Sequence, residues 1–198
     1  MLPFKTTWLR VVASLCISAA MLARSVSAQT TIVGLDAMAK DHYAFATAVS
    51  NGGSAVAGST GVYSEKAWRW TSSGSTEDLG HVYDPSANFF GATAYGISAD
   101  GSVVSGTTCS AVEIATQCYA FRWTASGGMQ VLEYGFGWGI SGDGALVVGF
   151  SGNSQFPGVG ACLWASDGTP NLIGSPSMQA VACSHDGGVV VMHSPGLQ

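Results

Sequence analysis

The stretch "YGISADGSVVSG", Tyr95 to Gly106, decides the fold because it joins two strand-like runs through an Asp-Gly dipeptide. Asp-Gly between apolar runs is the strongest short hairpin signal, since both turn positions can take positive φ. The stretch therefore predicts two short antiparallel strands with a tight turn at Asp100-Gly101.

The same hairpin recurs three more times along the chain, as "TAVSNGGSAVAG" from Thr47, "WGISGDGALVVG" from Trp138 and "VACSHDGGVVVM" from Val181. Spacings of about 43 to 48 residues separate the turn glycines, a period in the range of known β-repeats. A calcium loop needs several oxygen ligands close together, whereas each of these turns offers one carboxylate. We therefore interpret the dipeptides as structural turns. These turn residues are Asp100, Gly101, Asp143, Gly144, Asp186 and Gly187.

A second element follows each of the first three hairpins: "AWRWT" from Ala67, "AFRWT" from Ala120 and "ACLWA" from Ala161. Its alternation of apolar and polar residues predicts a strand, and a weaker fourth strand follows. Four strands in about 43 residues match the blade of a β-propeller, and stacking would bury faces that one small sheet leaves exposed. We therefore predict an all-β fold of four-stranded repeats stacked as a β-propeller-like array, either four blades or a fragment of a larger ring.

The repeats are predicted near residues 44–80, 92–135 and 136–176, with a partial one at 177–198. The run "TTIVGLD" at 30–36 resembles a fourth strand and could complete the last blade, closing the ring.

Aromatic residues of the third strand are predicted to form the repeat core, although a sugar-binding platform is the alternative. The predicted core residues are Trp70, Phe121, Trp123 and Trp164. Arg69 and Arg122 share one repeat position, where we expect a pair with a turn aspartate or stacking on tryptophan rather than an anion site.

Residues 1–28 resemble a secretory signal peptide, with Lys5 and Arg10 before an apolar run and a small-residue cleavage signal ending at Ala28. Residues 29–198 are then one β-repeat domain, secreted to the extracellular space or periplasm of a bacterial cell envelope. The apolar run is too short for a membrane span, so no membrane-spanning segment is expected in the mature chain.

Charge excludes two classes of partner. The chain carries 12 acidic and 7 basic residues, for a net charge of −5, and three of the basic residues lie in the signal peptide. Because the remaining basic residues are scattered along an acidic chain, they form no positive surface that would bind nucleic acid or anionic lipid.

Four cysteines follow the signal peptide. Cys109 and Cys118 flank a loop between two strand-like runs, and we predict a disulfide that closes this loop. Cys162 and Cys183 lie within strand-like runs and are either a second bridge or two buried thiols.

The motifs "ISADGSVVSG" and "YAFRWTASGGMQVL" resemble the probable extracellular repeat of the HAF family. That family is named for a His-Ala-Phe triplet, and Tyr119 stands here in place of the histidine. Its members are exported bacterial proteins that often carry an autotransporter barrel. The resemblance implies an extracellular β-repeat role and offers no catalytic residue to carry over.

Motifs for catalysis are missing from the sequence. Ser184-His185-Asp186 are neighbours, whereas a catalytic triad assembles from distant positions. The histidines lack metal-ligand spacing, and no Gly-rich loop opens a helix. We therefore expect no enzyme activity, catalytic residue, metal or cofactor.

The sequence is best explained by a non-catalytic extracellular scaffold or binding module for a protein or glycan, either free or associated with the cell surface. The contact loops would be Thr107 to Tyr119 and, second, His81 to Phe90. One alternative is a propeller-type glycan-active enzyme using the carboxylates of Glu113 and Glu133. Another is a truncated remnant of a longer autotransporter-like protein.

Overall fold

A computed structural model describes residues 43–61, 66–82, 89–112, 115–152 and 159–194. The predicted signal peptide and the strand-like run at 30–36 lie outside the described residues. The fold is all-β with antiparallel sheets.

The described residues form thirteen strands. They are β1 (Ala44–Val49), β2 (Ala55–Thr60), β3 (Lys66–Thr71), β4 (Thr76–Asp78), β5 (Phe89–Ile97), β6 (Val103–Val112), β7 (Ala115–Thr124), β8 (Gly128–Ile140), β9 (Leu146–Ser151), β10 (Gly160–Ala165), β11 (Pro170–Leu172), β12 (Gln179–Cys183) and β13 (Val190–His193). Strands β1–β4 form one sheet, β5–β11 a seven-stranded sheet, and β12–β13 a two-stranded sheet. Within each sheet, strands that are consecutive in sequence are neighbours.

The seven-stranded sheet consists of two four-stranded units that share β8. The first half of β8, up to Tyr134, pairs with β7, and the second half, from Gly135, pairs with β9. Gly135 has a φ of 142°, which is accessible chiefly to glycine, at the point where the strand changes partner. We number the units in chain order: unit 1 is β1–β4, unit 2 ends at Tyr134, unit 3 runs from Gly135 through β11, and half-unit 4 is β12–β13.

The loop that joins the first two strands of each unit has four residues, not the two of the predicted Asp-Gly turn. In unit 2 the Ser98 N–H donates to the Val103 carbonyl and the Gly101 N–H donates to the Ser98 carbonyl, both at 2.9 Å. Ala99 and Asp100 therefore take the two central positions, and Gly101 follows with a φ of 77°. The same bonds recur in the other three hairpins. Gly101, Gly144 and Gly187 take the left-handed conformation after the two central residues, whereas in the first hairpin both Gly52 and Gly53 take it, with φ of 81° and 74°.

The hydrophobic core lies between consecutive units. The first core cluster joins Ala57 and Leu79 of unit 1 to Val104 and Phe121 of unit 2. The second joins units 2 and 3, and the third joins Val148 and Ala161 of unit 3 to Ala180 of half-unit 4. Each unit thus buries its faces against its neighbours, as repeat proteins do.

Candidate binding groove

The hairpin turns of units 2 and 3 and of half-unit 4 are held by a serine and an aspartate two residues apart, whereas the first hairpin has the serine, Ser50, without the aspartate. In unit 2 the Ser98 hydroxyl donates to Asp100 Oδ1 at 2.6 Å and accepts the Val103 N–H at 3.0 Å. The Ser98 hydroxyl, followed by the N–H and hydroxyl of Ser102, lowers the pKa of Asp100 to about 2. Ser141 and Ser184 lower the pKa of Asp143 and Asp186 in the same way. The turn carboxylates are therefore engaged as hydrogen-bond acceptors for their own loops.

A line of backbone hydrogen bonds connects the turns of successive units, and we call it the turn ladder. The Asn51 N–H donates to the Ala99 carbonyl, the Ala99 N–H to the Gly142 carbonyl, and the Gly142 N–H to the His185 carbonyl, at 2.8 to 2.9 Å. Every bond runs in the same direction along the chain. The turns thus form one continuous edge of the array.

The repeated arginines bind the turn of the following unit. Arg69 Nε donates to the Gly101 carbonyl at 2.6 Å, and Arg122 Nε donates to the Gly144 carbonyl at 3.1 Å. Arg69 also pairs with Glu77 at 2.7 Å and lies 5.7 Å from the Trp123 ring centroid. The arginine partner is therefore a turn carbonyl, not the turn aspartate that we expected, while stacking on tryptophan occurs at Arg69.

The third-strand aromatics lie at different depths. Phe121 and Trp164 are fully buried, and Trp123 is 6% exposed. Trp70 is half-buried, whereas its neighbour Trp68 is buried. Phe121, Trp123 and Trp164 therefore pack in the core clusters between units, whereas Trp70 belongs to none of these clusters and was wrongly predicted as a core residue.

A β-bulge interrupts the first strand of every unit at one position. Tyr95 in β5 and Trp138 in β8 have no paired residue on the neighbouring strand. The same holds for the equivalent Thr47 and Val181 in the first and last hairpins. A bulge redirects its side chain and is frequent beside functional sites. Tyr95 is 39% exposed as a result.

The predicted disulfide is present: Cys109 and Cys118 are bonded, and they face each other across β6 and β7. Residues 107–112 and 115–119 therefore belong to the paired strands β6 and β7, which we call the disulfide hairpin, and not to the loop that we predicted. Cross-strand pairing continues past the cysteines as far as Val112 and Ala115. Of the second predicted loop, His81 to Phe90, residues 83–88 lie outside the described residues.

A groove of about 210 Å³ lies beside this disulfide hairpin. Its lining residues are Gly91, Thr93, Tyr95, Thr107, Cys109, Thr116 and Phe136. Phe136 is 37% exposed and its ring stacks on Trp138, with the centroids 5.7 Å apart and the planes 10° apart. Thr116 is exposed, whereas Thr107 is buried and its hydroxyl accepts the Gly137 N–H at 3.3 Å. The groove therefore offers aromatic rings and the Thr116 hydroxyl, with no carboxylate, amine or imidazole among these lining residues.

Glu133, one carboxylate of the enzyme alternative, has structural partners. Its Oε2 accepts the Ser151 hydroxyl at 2.9 Å and the Trp164 indole N–H at 3.3 Å. Glu113, the other carboxylate, lies outside the described residues. These two hydrogen bonds explain the half-buried glutamate at this position in β8.

Cys162 and Cys183 are both free thiols. Burial raises the pKa of the Cys162 thiol to about 11, and burial raises that of Cys183 as well. Of the two alternatives that the sequence left open, the structure has two thiols rather than a second bridge.

Over the five described ranges, the acidic, histidine and cysteine side chains form no group of three that could hold a metal ion. Within the same ranges, no helix is long and apolar enough to cross a membrane. No protein-family model matches the chain, and no curated protein matches it.

The sequence did not single out the aromatic residues of the groove as a site. Tyr95 and Trp138 begin two of the four repeated hairpin stretches, but neither they nor Phe136 were predicted to form a site. The signal that could have found them is their departure from the small residues that surround them, "TAYG" and "FGWG".

Proposed function

We propose that this chain is an exported, non-catalytic repeat module that binds a neutral extracellular glycan in the groove beside the disulfide hairpin. The groove carries the proposal: exposed Tyr95 and Phe136 provide flat apolar rings, and exposed Thr116 provides a hydroxyl group nearby. Binding sites that combine aromatic surface with a few polar groups suit small polar ligands with apolar faces. A charged ligand would find no counter-charge among the groove's lining residues.

The four-stranded units would be blades of a propeller-like array, as their period and their core between units suggest. A disulfide suits an oxidising compartment, the extracellular space or periplasm. The resemblance to HAF-family extracellular repeats supports the same localisation and a role at the cell surface. A protein that presents a sugar or an apolar loop is the second kind of partner that the groove accommodates.

A glycan array probed with the full chain tests the proposal. We expect binding to a restricted set of neutral sugars, and we expect Phe136→Ala to weaken it at least tenfold because the stacking ring is lost. Phe45→Ala is the matched control, since Phe45 is 60% exposed and is not a lining residue of the groove.

Three results would contradict the proposal. These are an array with no bound sugar, equal losses in the Phe136 and Phe45 variants, and turnover of a bound glycan. The last would contradict the non-catalytic part alone.

A further inference from the structure

The interface between neighbouring units is repeated three times in the molecule, and half of that interface is exposed at each end. In the turn ladder, each unit donates an N–H to the carbonyl of the unit that follows. Within the described residues the ladder ends at His185, whose N–H takes part in none of these bonds. At the opposite end, the Asn51 carbonyl likewise receives no ladder bond. A donor and an acceptor of one interface are therefore left at opposite ends.

The turn glycine shows the same pattern in its packing. A Cβ on Gly144 would lie 2.6 Å from Val103 Cγ2 of the preceding unit, and a Cβ on Gly187 would lie 2.6 Å from Leu146 Cδ1. Gly53 is the equivalent glycine of unit 1; it is exposed, and a Cβ there would meet no described atom within 4 Å. The turn glycine of unit 1 is therefore exposed where the other turn glycines pack against a side chain of the preceding unit.

The matching side chain is exposed at the other end. Val189 is the first residue after the last turn and is equivalent to Val103, which is 5% exposed and packs beneath a following glycine. Val189 is 64% exposed. Two positions on, Val191 is 54% exposed, whereas the equivalent Val148 of unit 3 is fully buried against half-unit 4.

The first strand of unit 1 completes the comparison. Ile97 and Ile140 end the first strands of units 2 and 3, and each packs into the core cluster shared with the preceding unit. Val49 is equivalent to them and is 63% exposed. The first hairpin therefore exposes the surface that units 2 and 3 bury.

We propose that the first hairpin of one copy docks on the last hairpin of a second copy, so that chains associate head to tail through the interface already used inside the molecule. The contact would place Gly53 and Val49 of one copy on Val189 and Val191 of the other, and would add one bond to the turn ladder. Such a heterologous contact produces a closed ring if the rotation per copy closes and a filament if it does not. The association is independent of any ligand in the groove.

The mass of the full purified chain in solution, measured over a range of concentrations, tests the proposal. We expect the wild-type chain to reach the mass of two or more copies at high concentration, and Val191→Lys and Val49→Asp each to remain single chains. Val131→Lys is the matched control, because Val131 is 41% exposed on β8 and lies on neither end hairpin. That variant should associate like the wild type.

A mixing experiment separates a second copy from closure of the ring within one chain. An equal mixture of the two single variants contains one wild-type first hairpin and one wild-type last hairpin on different chains, so it should form a dimer that neither variant forms alone. A mixture that stays monomeric would overturn the proposal, as would a wild-type chain that is monomeric at every concentration. Equal loss of association in the Val191 and Val131 variants would also overturn it. Recovery of the dimer on mixing would show that both variants are folded.

Discussion

The two ends of the strands in unit 2 differ in how they are built. At the turn edge, Ser98, Asp100 and Gly101 repeat a hydrogen-bonding pattern that recurs in the next units, and the loops are linked to one another by the turn ladder. At the other end, β6 and β7 extend into the disulfide hairpin beside the groove. Repeated chemistry thus holds the units together, while the part that differs between units carries the candidate site. Changes at the turn edge should therefore reduce stability, and changes at the groove should mainly affect binding.

The largest effect is expected from a side chain added at a turn glycine. Gly144→Ala should lower the free energy of unfolding by about 3 kcal/mol, because the residue keeps a left-handed φ of 72° and its Cβ lies 2.6 Å from Val103. Gly53→Ala is the matched control, because Gly53 has a φ of 74° and a Cβ there would meet no described atom within 4 Å. Its free energy of unfolding should fall by about 1 to 2 kcal/mol from the backbone conformation alone. Denaturant unfolding measures both, and equal losses would contradict the packing of turns between units.

Loss of the disulfide should come second. Replacing Cys109 and Cys118 with serine should remove about 2 to 3 kcal/mol, because the closed loop restricts the unfolded chain. Amide exchange in the double variant should rise around the groove and stay unchanged along the turn ladder. Increased exchange at Ala99 and Gly142 would instead show that the stability of the turn ladder depends on the disulfide hairpin.

A smaller effect is expected for the turn serine. Ser98→Ala should cost about 1 to 2 kcal/mol, since the buried Val103 N–H loses its side-chain acceptor and Asp100 loses a donor. Ser184 makes the same two bonds in the last hairpin, where Val189 is exposed to solvent. Ser184→Ala should therefore cost less, which thermal unfolding of the two variants can compare; the reverse order would contradict the role of burial.

Acid should produce the smallest effect. Asp100 has a pKa lowered from 3.8 to about 2, so the ionised carboxylate stabilises the fold above about pH 4, and this contribution is lost as the pH falls towards 2. The carboxylate is largely exposed, so solvent screening keeps the effect small. Melting temperatures between pH 6 and pH 2 should fall less steeply for Asp100→Asn than for the wild type. Identical slopes would show that this carboxylate does not couple folding to protons.

Much of this fold could be predicted from local patterns in the sequence. The alternation in "AFRWT" and the glycine after each turn predict antiparallel strands, because strand periodicity and turn chemistry depend on neighbouring residues alone. The disulfide was predictable for the same reason, since Cys109 and Cys118 flank one hairpin. The continuity of β8 across two units was not, because Gly135 only redirects a strand whose partners lie elsewhere in the chain.

The groove depended on contacts that no local pattern encodes. Tyr95 belongs to β5 and Phe136 to β8, and they line one groove because unit 3 packs beside unit 2. The partner of Arg122 was missed for a related reason. A charged side chain suggests a carboxylate as its partner, whereas the nearest acceptor in the folded chain is the Gly144 carbonyl of the following turn.

The division of the core among the boundaries between units has a consequence for cooperativity. When apolar contacts join only adjacent units, the total stability approximates a sum over boundaries, and a unit held at one side opens before a unit held at both. Half-unit 4 contributes Ala180 to one cluster, whereas unit 2 contributes to two. Unit 3 also contributes to two clusters. Unfolding should thus begin at the ends of the array and proceed inward, and the boundary between units 2 and 3, where Trp164 is fully buried, should open last.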